Sequence, residues 1–382
     1  MPFDIILDDL PGGYALTATK KGENANIVTR EFTSSEDGDL FISRLDGIPS
    51  QLIKLASKSI SNQNISFSTI DHLLAVINKD KTLKLYVNEI SLQTVVSLKK
   101  ADTNAGEAIY HDDIAEILRV KLGELEISED SGIVFIFSIG WRKGLFFDFN
   151  PLVKENFTSR GYDLEVLLAQ YYSYLMFQDL FKISESAWEN IISQKWFPFI
   201  SLKKSTTEKI VSNASADWSL DDLTEIISQD LISLLPLAIK RWESSFLFNE
   251  HFPFFNLAVQ RYLEKDFVSS ASILFPRIEG LLRTKHSTVN SSEKASQTNL
   301  VNSLVNGLSN ERKTYNALLP LKFQEYLSKV FFGSFDTNLA VEISRHSVSH
   351  GVAPFDEFNL KSATIALLIV DQLYFYLFTD RK

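Results

Sequence analysis

The spacing of apolar residues changes character once along this chain, at Pro151. Before that point they fall in short alternating runs separated by turn residues, the pattern of half-buried strands. After it they recur every three or four residues over long stretches, the pattern of amphipathic helices. The expected fold class is therefore α+β, a β-rich N-terminal domain followed by an all-helical region.

Strands are expected at 3–7, 14–19, 26–32, 39–45, 64–69, 82–87 and 92–98, with turns at Pro11-Gly12-Gly13 and Glu36-Asp37-Gly38-Asp39. One helix is expected among them, at 112–122. Residues 132–149 read as two buried strands joined by a basic turn at Trp141, Arg142 and Lys143. Helices are expected at 163–182, 186–194, 221–242, 254–263, 266–283, 300–308, 311–330, 337–350 and 357–378. Pro198, Pro236, Pro253, Pro276, Pro320 and Pro354 are expected to break helices or to sit in first turns. Residues 285–298, rich in Ser, Thr and Asn, read as a loop. This divides the chain into a β-rich sensor or regulatory domain (1–152), a helical connecting region (153–255) and a C-terminal helical bundle (256–382).

The chain has no cysteine, which excludes disulfides, thiolate metal sites and a cysteine nucleophile. A net charge of −10 argues against a large basic groove for nucleic acid. The charge is uneven: residues 261–382 hold 14 Lys+Arg and 12 Asp+Glu, a balance of +2. The N-terminus is acidic early and lacks a basic leader. The longest uncharged apolar run near the C-terminus, 363–370, is far short of the ~20 residues that span a bilayer. The expected location is the cytoplasm, with no membrane partner. No phosphate-binding Gly loop, nucleophile elbow or H-E-x-x-H motif is present.

The strongest chemical signal is Glu342-Ile343-Ser344-Arg345-His346-Ser347-Val348-Ser349-His350-Gly351. An always-charged guanidinium can hold a phosphate and an imidazole can move a proton. His346 and His350 are four apart and share a helix face. Arg345 and His350 lie about 140° apart on an ideal helix. Gly351 and Pro354 mark the helix end. The bland readings are specific too. His350 can simply sit on the helix dipole, and Arg345 can pair with Glu342 or Glu279. A zinc site on the two histidines is disfavoured by the neighbouring arginine and the lack of a third ligand.

This stretch resembles the motif of the HEPN superfamily: an arginine, a polar residue, and a histidine after four to six intervening residues. Here four intervene, and His346 fills the polar position. The following helix at 357–378 and the upstream helix around Arg277, Glu279 and Arg283 fit such a bundle, over residues 256–382. The resemblance implies an endoribonuclease that works without a metal or other cofactor, acting in phage defence or a toxin-like stress response. It implies a homodimer formed through the C-terminal bundle, with RNA as substrate. His350 would be the acid/base, Arg345 the phosphate clamp and His346 a supporting polar group. Arg277, Glu279 and Arg283 are candidate substrate contacts, and are equally explained as the polar face of a helix. The alternative is a catalytically inactive HEPN-like module that binds a nucleotide or a partner.

Overall fold

A computed structural model of the chain describes residues 2–59, 65–99, 102–153, 158–289, 294–334 and 342–378. They form two compact units. The first combines residues 1–95 with 117–177, the second 96–116 with 178–382.

The first unit holds β1 (Phe3–Ile6), β2 (Tyr14–Ala15), β3 (Ile27–Val28), β4 (Arg30–Ser34), α1 (Asp39–Leu45), α2 (Ile48–Ser59), β5 (His72–Ile77) and β6 (Thr82–Val87). The chain leaves it along β7 (Gln93–Leu98) and re-enters along β8 (Ile114–Lys121), then adds β9 (Gly132–Ile139), β10 (Arg142–Asp148) and α3 (Leu164–Met176). Six strands make an antiparallel sheet in the order β1-β6-β5-β9-β10-β4. Central β9 pairs with β5 (Leu74 opposite Phe135) and with β10 (Phe146 opposite Phe135). Both faces of the sheet are covered, so β9 is a continuous apolar run rather than an alternation. On one face Leu73, Leu85, Val134, Ile136, Leu145 and Phe147 pack with Phe41 of α1 and Leu52 and Ala56 of α2. On the other, Tyr171 and Tyr172 of α3 stack on Phe32 (centroids 4.1 Å apart) and Phe137 (4.7 Å). These stacks carry the first unit past residue 152 to Phe177.

Two elements expected here take the other conformation. Residues 39–45 are helix α1, not a strand. Asp39 sits in its first turn and Arg44 in its last, matching the helix dipole, and Phe41 and Arg44 turn inward at helical spacing. Residues 114–121 are strand β8, not a helix. Ile114, Ile117 and Leu118 mimic a helical stripe, but β-branched side chains favour the pleat. Residues 67–69 form a short 3-10 turn where a strand was expected, and residue 64 lies outside the described residues. Helix α2 and strand β5 were not anticipated.

The second unit contains α4 (Gln178–Phe181), α5 (Glu185–Ser193), α6 (Lys204–Ser215), α7 (Thr224–Ser244), α8 (Phe252–Leu263), α9 (Phe267–Val289), α10 (Gln297–Asn302), α11 (Asn310–Thr314), α12 (Pro320–Tyr326), α13 (Arg345–Ser349) and α14 (Leu360–Phe378). Pro253 and Pro320 start helices as expected, whereas Pro236 and Pro276 lie inside α7 and α9. Helix α14 packs against α7 and α9 and is buried on nearly all sides, and most of its side chains are apolar, as in a helix enclosed by protein. The stretch Leu360–Leu377 is long and apolar enough to cross a membrane, with mean hydropathy 1.3, but 89% of it is buried. It has the properties of a core helix.

Polar anchors fix α14 in register. Asp371 accepts from Arg241 Nη2 (2.7 Å), Trp242 Nε1 (3.0 Å) and Ser201 Oγ. Gln372 takes the Ile200 N–H (2.8 Å) and donates to the Leu318 carbonyl (3.1 Å). The 96–116 segment is held the same way. Lys99 Nζ donates to the Ile200 carbonyl (2.8 Å), and buried Glu116 accepts from Asn316 (2.6 Å) and Arg312 (3.2 Å). Burial pushes the Glu116 carboxyl above its ordinary pKa, against the pull of Arg312.

Candidate functional site

The Arg345–His350 stretch is one tight helical turn in the second unit. Its start is set by Ser344, whose backbone is extended (φ −149°) and whose Oγ accepts the Ser347 N–H at 3.2 Å. Ser347 Oγ in return accepts the Ser344 N–H at 2.8 Å, a reciprocal cap. Ser347 Oγ also donates to the Glu342 carbonyl (2.8 Å). The helix expected at 337–350 therefore begins only at Arg345. Residues 342–344 are not helical, and 337–341 lie outside the described residues.

The turn ends as its sequence predicts. Gly351 adopts φ +67°. Its N–H bonds the Val348 carbonyl (3.1 Å) and the Val352 N–H bonds that of Ser347 (3.0 Å). This is the six-to-one, five-to-two pairing of a glycine-terminated helix. His350 is thus the C-cap residue, and exposed.

His346 and His350 stand side by side, ring centroids 6.3 Å apart and 16° from parallel. Gln297 of α10 approaches His346, with 2.5 Å between its Nε2 and the ring Nε2. With the amide N–H donating, the ring proton of neutral His346 lies on Nδ1. Partial burial lowers the His346 pKa first, then the positive charge of Arg345 and the neighbouring His350; Glu279 opposes them. The two histidines have no third donor to complete a metal-binding group among the described residues.

Arg345 reaches Glu279 of α9. Its Nε lies against Glu279 Oε2, a side chain only 6% exposed. Glu279 Oε1 accepts from Arg283 Nε (2.9 Å) and Nη2 (2.6 Å). One buried carboxylate thus holds two guanidiniums. Among the described residues, no hydrogen bond reaches the terminal nitrogens of Arg345.

Comparison of the chain with protein-family models, with curated proteins and with solved structures finds no match.

Of the six residues singled out from sequence, five converge: Arg345, His346 and His350 on the turn, Glu279 and Arg283 on α9. Arg277 does not join them. Its guanidinium lies 3.5 Å from the ring centre of Phe254, a cation–π contact on another face of α9. Sequence reasoning missed Gln297, a lone polar residue inside a Ser/Thr/Asn-rich stretch. It also missed Asp371, although a single carboxylate following the apolar run 363–370 was a usable signal.

Proposed function

We propose that the second unit carries a HEPN-type endoribonuclease site that cleaves RNA without a metal, in phage defence or a toxin-like stress response. The observation that supports this reading is the Arg345 side chain. Glu279 pairs with its Nε, which leaves the terminal nitrogens to contact a phosphate. Two parallel N–H donors in a rigid fork match phosphate oxygens and strengthen as the phosphorane gains charge. His350 is the exposed imidazole at the end of the same turn. It takes the proton from a ribose 2′-hydroxyl. The 2′-oxygen then attacks phosphorus, the bond to the 5′-oxygen breaks, and the 5′-oxygen takes back the proton from the imidazolium. The products are a 2′,3′-cyclic phosphate and a free 5′-hydroxyl. His346, kept neutral, supports the turn. Each chain has one motif, so two copies pair to complete the centre.

A second reading is favoured by the same ion pair. An arginine whose Nε is already held within its own chain can serve a nucleotide- or partner-binding module with no chemistry. RNA incubated with the purified chain and excess chelator separates the two. Cleavage lost in both Arg345→Ala and His350→Ala supports the nuclease. Cleavage unchanged in both removes these residues from the mechanism, and nucleotide binding without cleavage leaves the binding module.

A further inference from the structure

A cavity of about 360 Å³ opens in the second unit, between the C-terminal end of α5, residues 342–343 before α13, and the N-terminus of α14. Its volume lies within the roughly 300–1,000 Å³ of small-molecule sites. Its walls carry charges of both signs that differ in exposure. The two cations are the more buried: the Lys195 and Lys361 side chains are 19% and 22% exposed. The three carboxylates are nearer solvent: Glu357 is 34%, Asp221 60% and Glu342 71% exposed. Lys195 Nζ lies 3.2 Å from Glu342 and 3.6 Å from Glu357, and Lys361 Nζ 2.5 Å from Asp221. The first turn of α14 lines the same wall and adds the positive end of a long helix dipole.

Lys195 reaches the cavity at a conformational cost. It holds φ +62° just past α5, with its N–H on the Ile192 carbonyl (2.9 Å) and the Trp196 N–H on that of Ile191 (3.0 Å). Glycine is the usual occupant of that position, and an L side chain there costs about 1–2 kcal/mol. Glycine would relieve the strain but put no ammonium on the cavity wall.

We infer that this cavity binds a small zwitterion of the α-amino-acid class. The carboxylate enters first, towards Lys195, Lys361 and the α14 N-terminus. The ammonium remains near the mouth among Glu342, Glu357 and Asp221. Ile343 and Ile365 offer an apolar surface to the ligand's side chain. A simple anion fits less well because three carboxylates face two lysines, and a simple cation because the more buried charges are positive. The resident ion pairs involve partly exposed groups and hold weakly. A zwitterion exchanges them like for like, leaving no buried charge unmatched. This inference stands apart from the nuclease reading.

The test is calorimetry on the full chain with each standard amino acid. The best binder is then compared with its N-acetyl and carboxamide derivatives, and with inorganic phosphate and putrescine as single-sign probes. At least one amino acid is expected to bind, and each blocked derivative to bind at least about tenfold more weakly, the equivalent of ~1.4 kcal/mol. Glu342→Gln and Lys361→Gln are expected to weaken binding severalfold; Glu342→Gln is expected to do so without shifting the thermal melt, because its side chain is exposed and its ion pair with Lys195 holds weakly, whereas Lys361 also lies over the Trp196 ring. Arg345→Ala is expected to leave binding intact, so loss of RNA cleavage and loss of this site are read separately. The inference is overturned if no amino acid binds, if a blocked derivative or a single-sign probe binds as well as the parent, if both glutamine variants bind normally, or if Arg345→Ala abolishes binding.

Discussion

The guanidinium of Arg345 lies against the carboxylate of Glu279, and that carboxylate is shared with Arg283 one turn along α9. The acid is nearly inaccessible, whereas Arg345 is 24% and Arg283 51% exposed. Loss of a base and loss of the acid are therefore not equivalent: the bases can recruit water, but the acid cannot.

Arg345→Ala alone should cost about 1–2 kcal/mol, because Arg283 still satisfies Glu279. Removing both arginines strands a buried charge and should cost about 3–5 kcal/mol, more than the two single losses together. Urea unfolding of the wild type, both single variants and the double variant measures the coupling. Additive losses would mean that Glu279 is not shared.

His346 should titrate below a free histidine. Its depressed pKa means that its contribution to stability is present above the unfolded value of about 6.5 and is lost as pH falls through the folded value. Arg345→Ala removes a lowering charge and should raise the midpoint. Glu279→Gln removes a raising charge and should lower it further. Imidazole proton shifts followed by NMR against pH report both directions, and an opposite sign in either variant refutes the electrostatic account.

Asp371→Ala should be among the most damaging single changes in the second unit, at about 3–5 kcal/mol. It leaves Arg241 uncompensated and the Trp242 indole N–H without an acceptor. Calorimetric melting would show this directly. A loss below about 1 kcal/mol would mean that packing, not this network, holds α14.

Gly351→Ala should cost about 1 kcal/mol. A methyl group there would meet no atom within 4 Å, so the whole penalty comes from φ +67°. Gly351→Asn should lose less, since asparagine tolerates left-handed backbone. Equal melting temperatures for the glycine and alanine proteins would contradict this origin.

The division into an N-terminal sheet and C-terminal helices was legible because periodicity reports which faces are buried. β6 falls where the alternation of Thr82–Val87 put it. The end of α13 was legible too, because Gly351 has few other uses after a helix. Its start was not: Ser344 and Ser347 are ordinary surface residues until they cap one another. The strand at 114–121 was misread because Ile114, Ile117 and Leu118 satisfy both periods over so short a span. Pro236 and Pro276 were expected to break helices or to sit in first turns, but both lie inside long helices, which when packed along their length can absorb one missing hydrogen bond. The approach of Glu279 to Arg345 was weighed as one of two pairings, and only the fold could choose between Glu342 and Glu279.

The excursion of residues 96–116 into the second unit has a consequence for biosynthesis. Lys99 and Glu116 leave the ribosome long before Arg241, Arg312, Asn316 and Asp371, the side chains of the networks they join. An early-made loop must wait, solvated, through the translation of most of the remaining chain. The helical unit consequently closes late, and a fragment starting at residue 178 would be synthesised without two of its own interior charges.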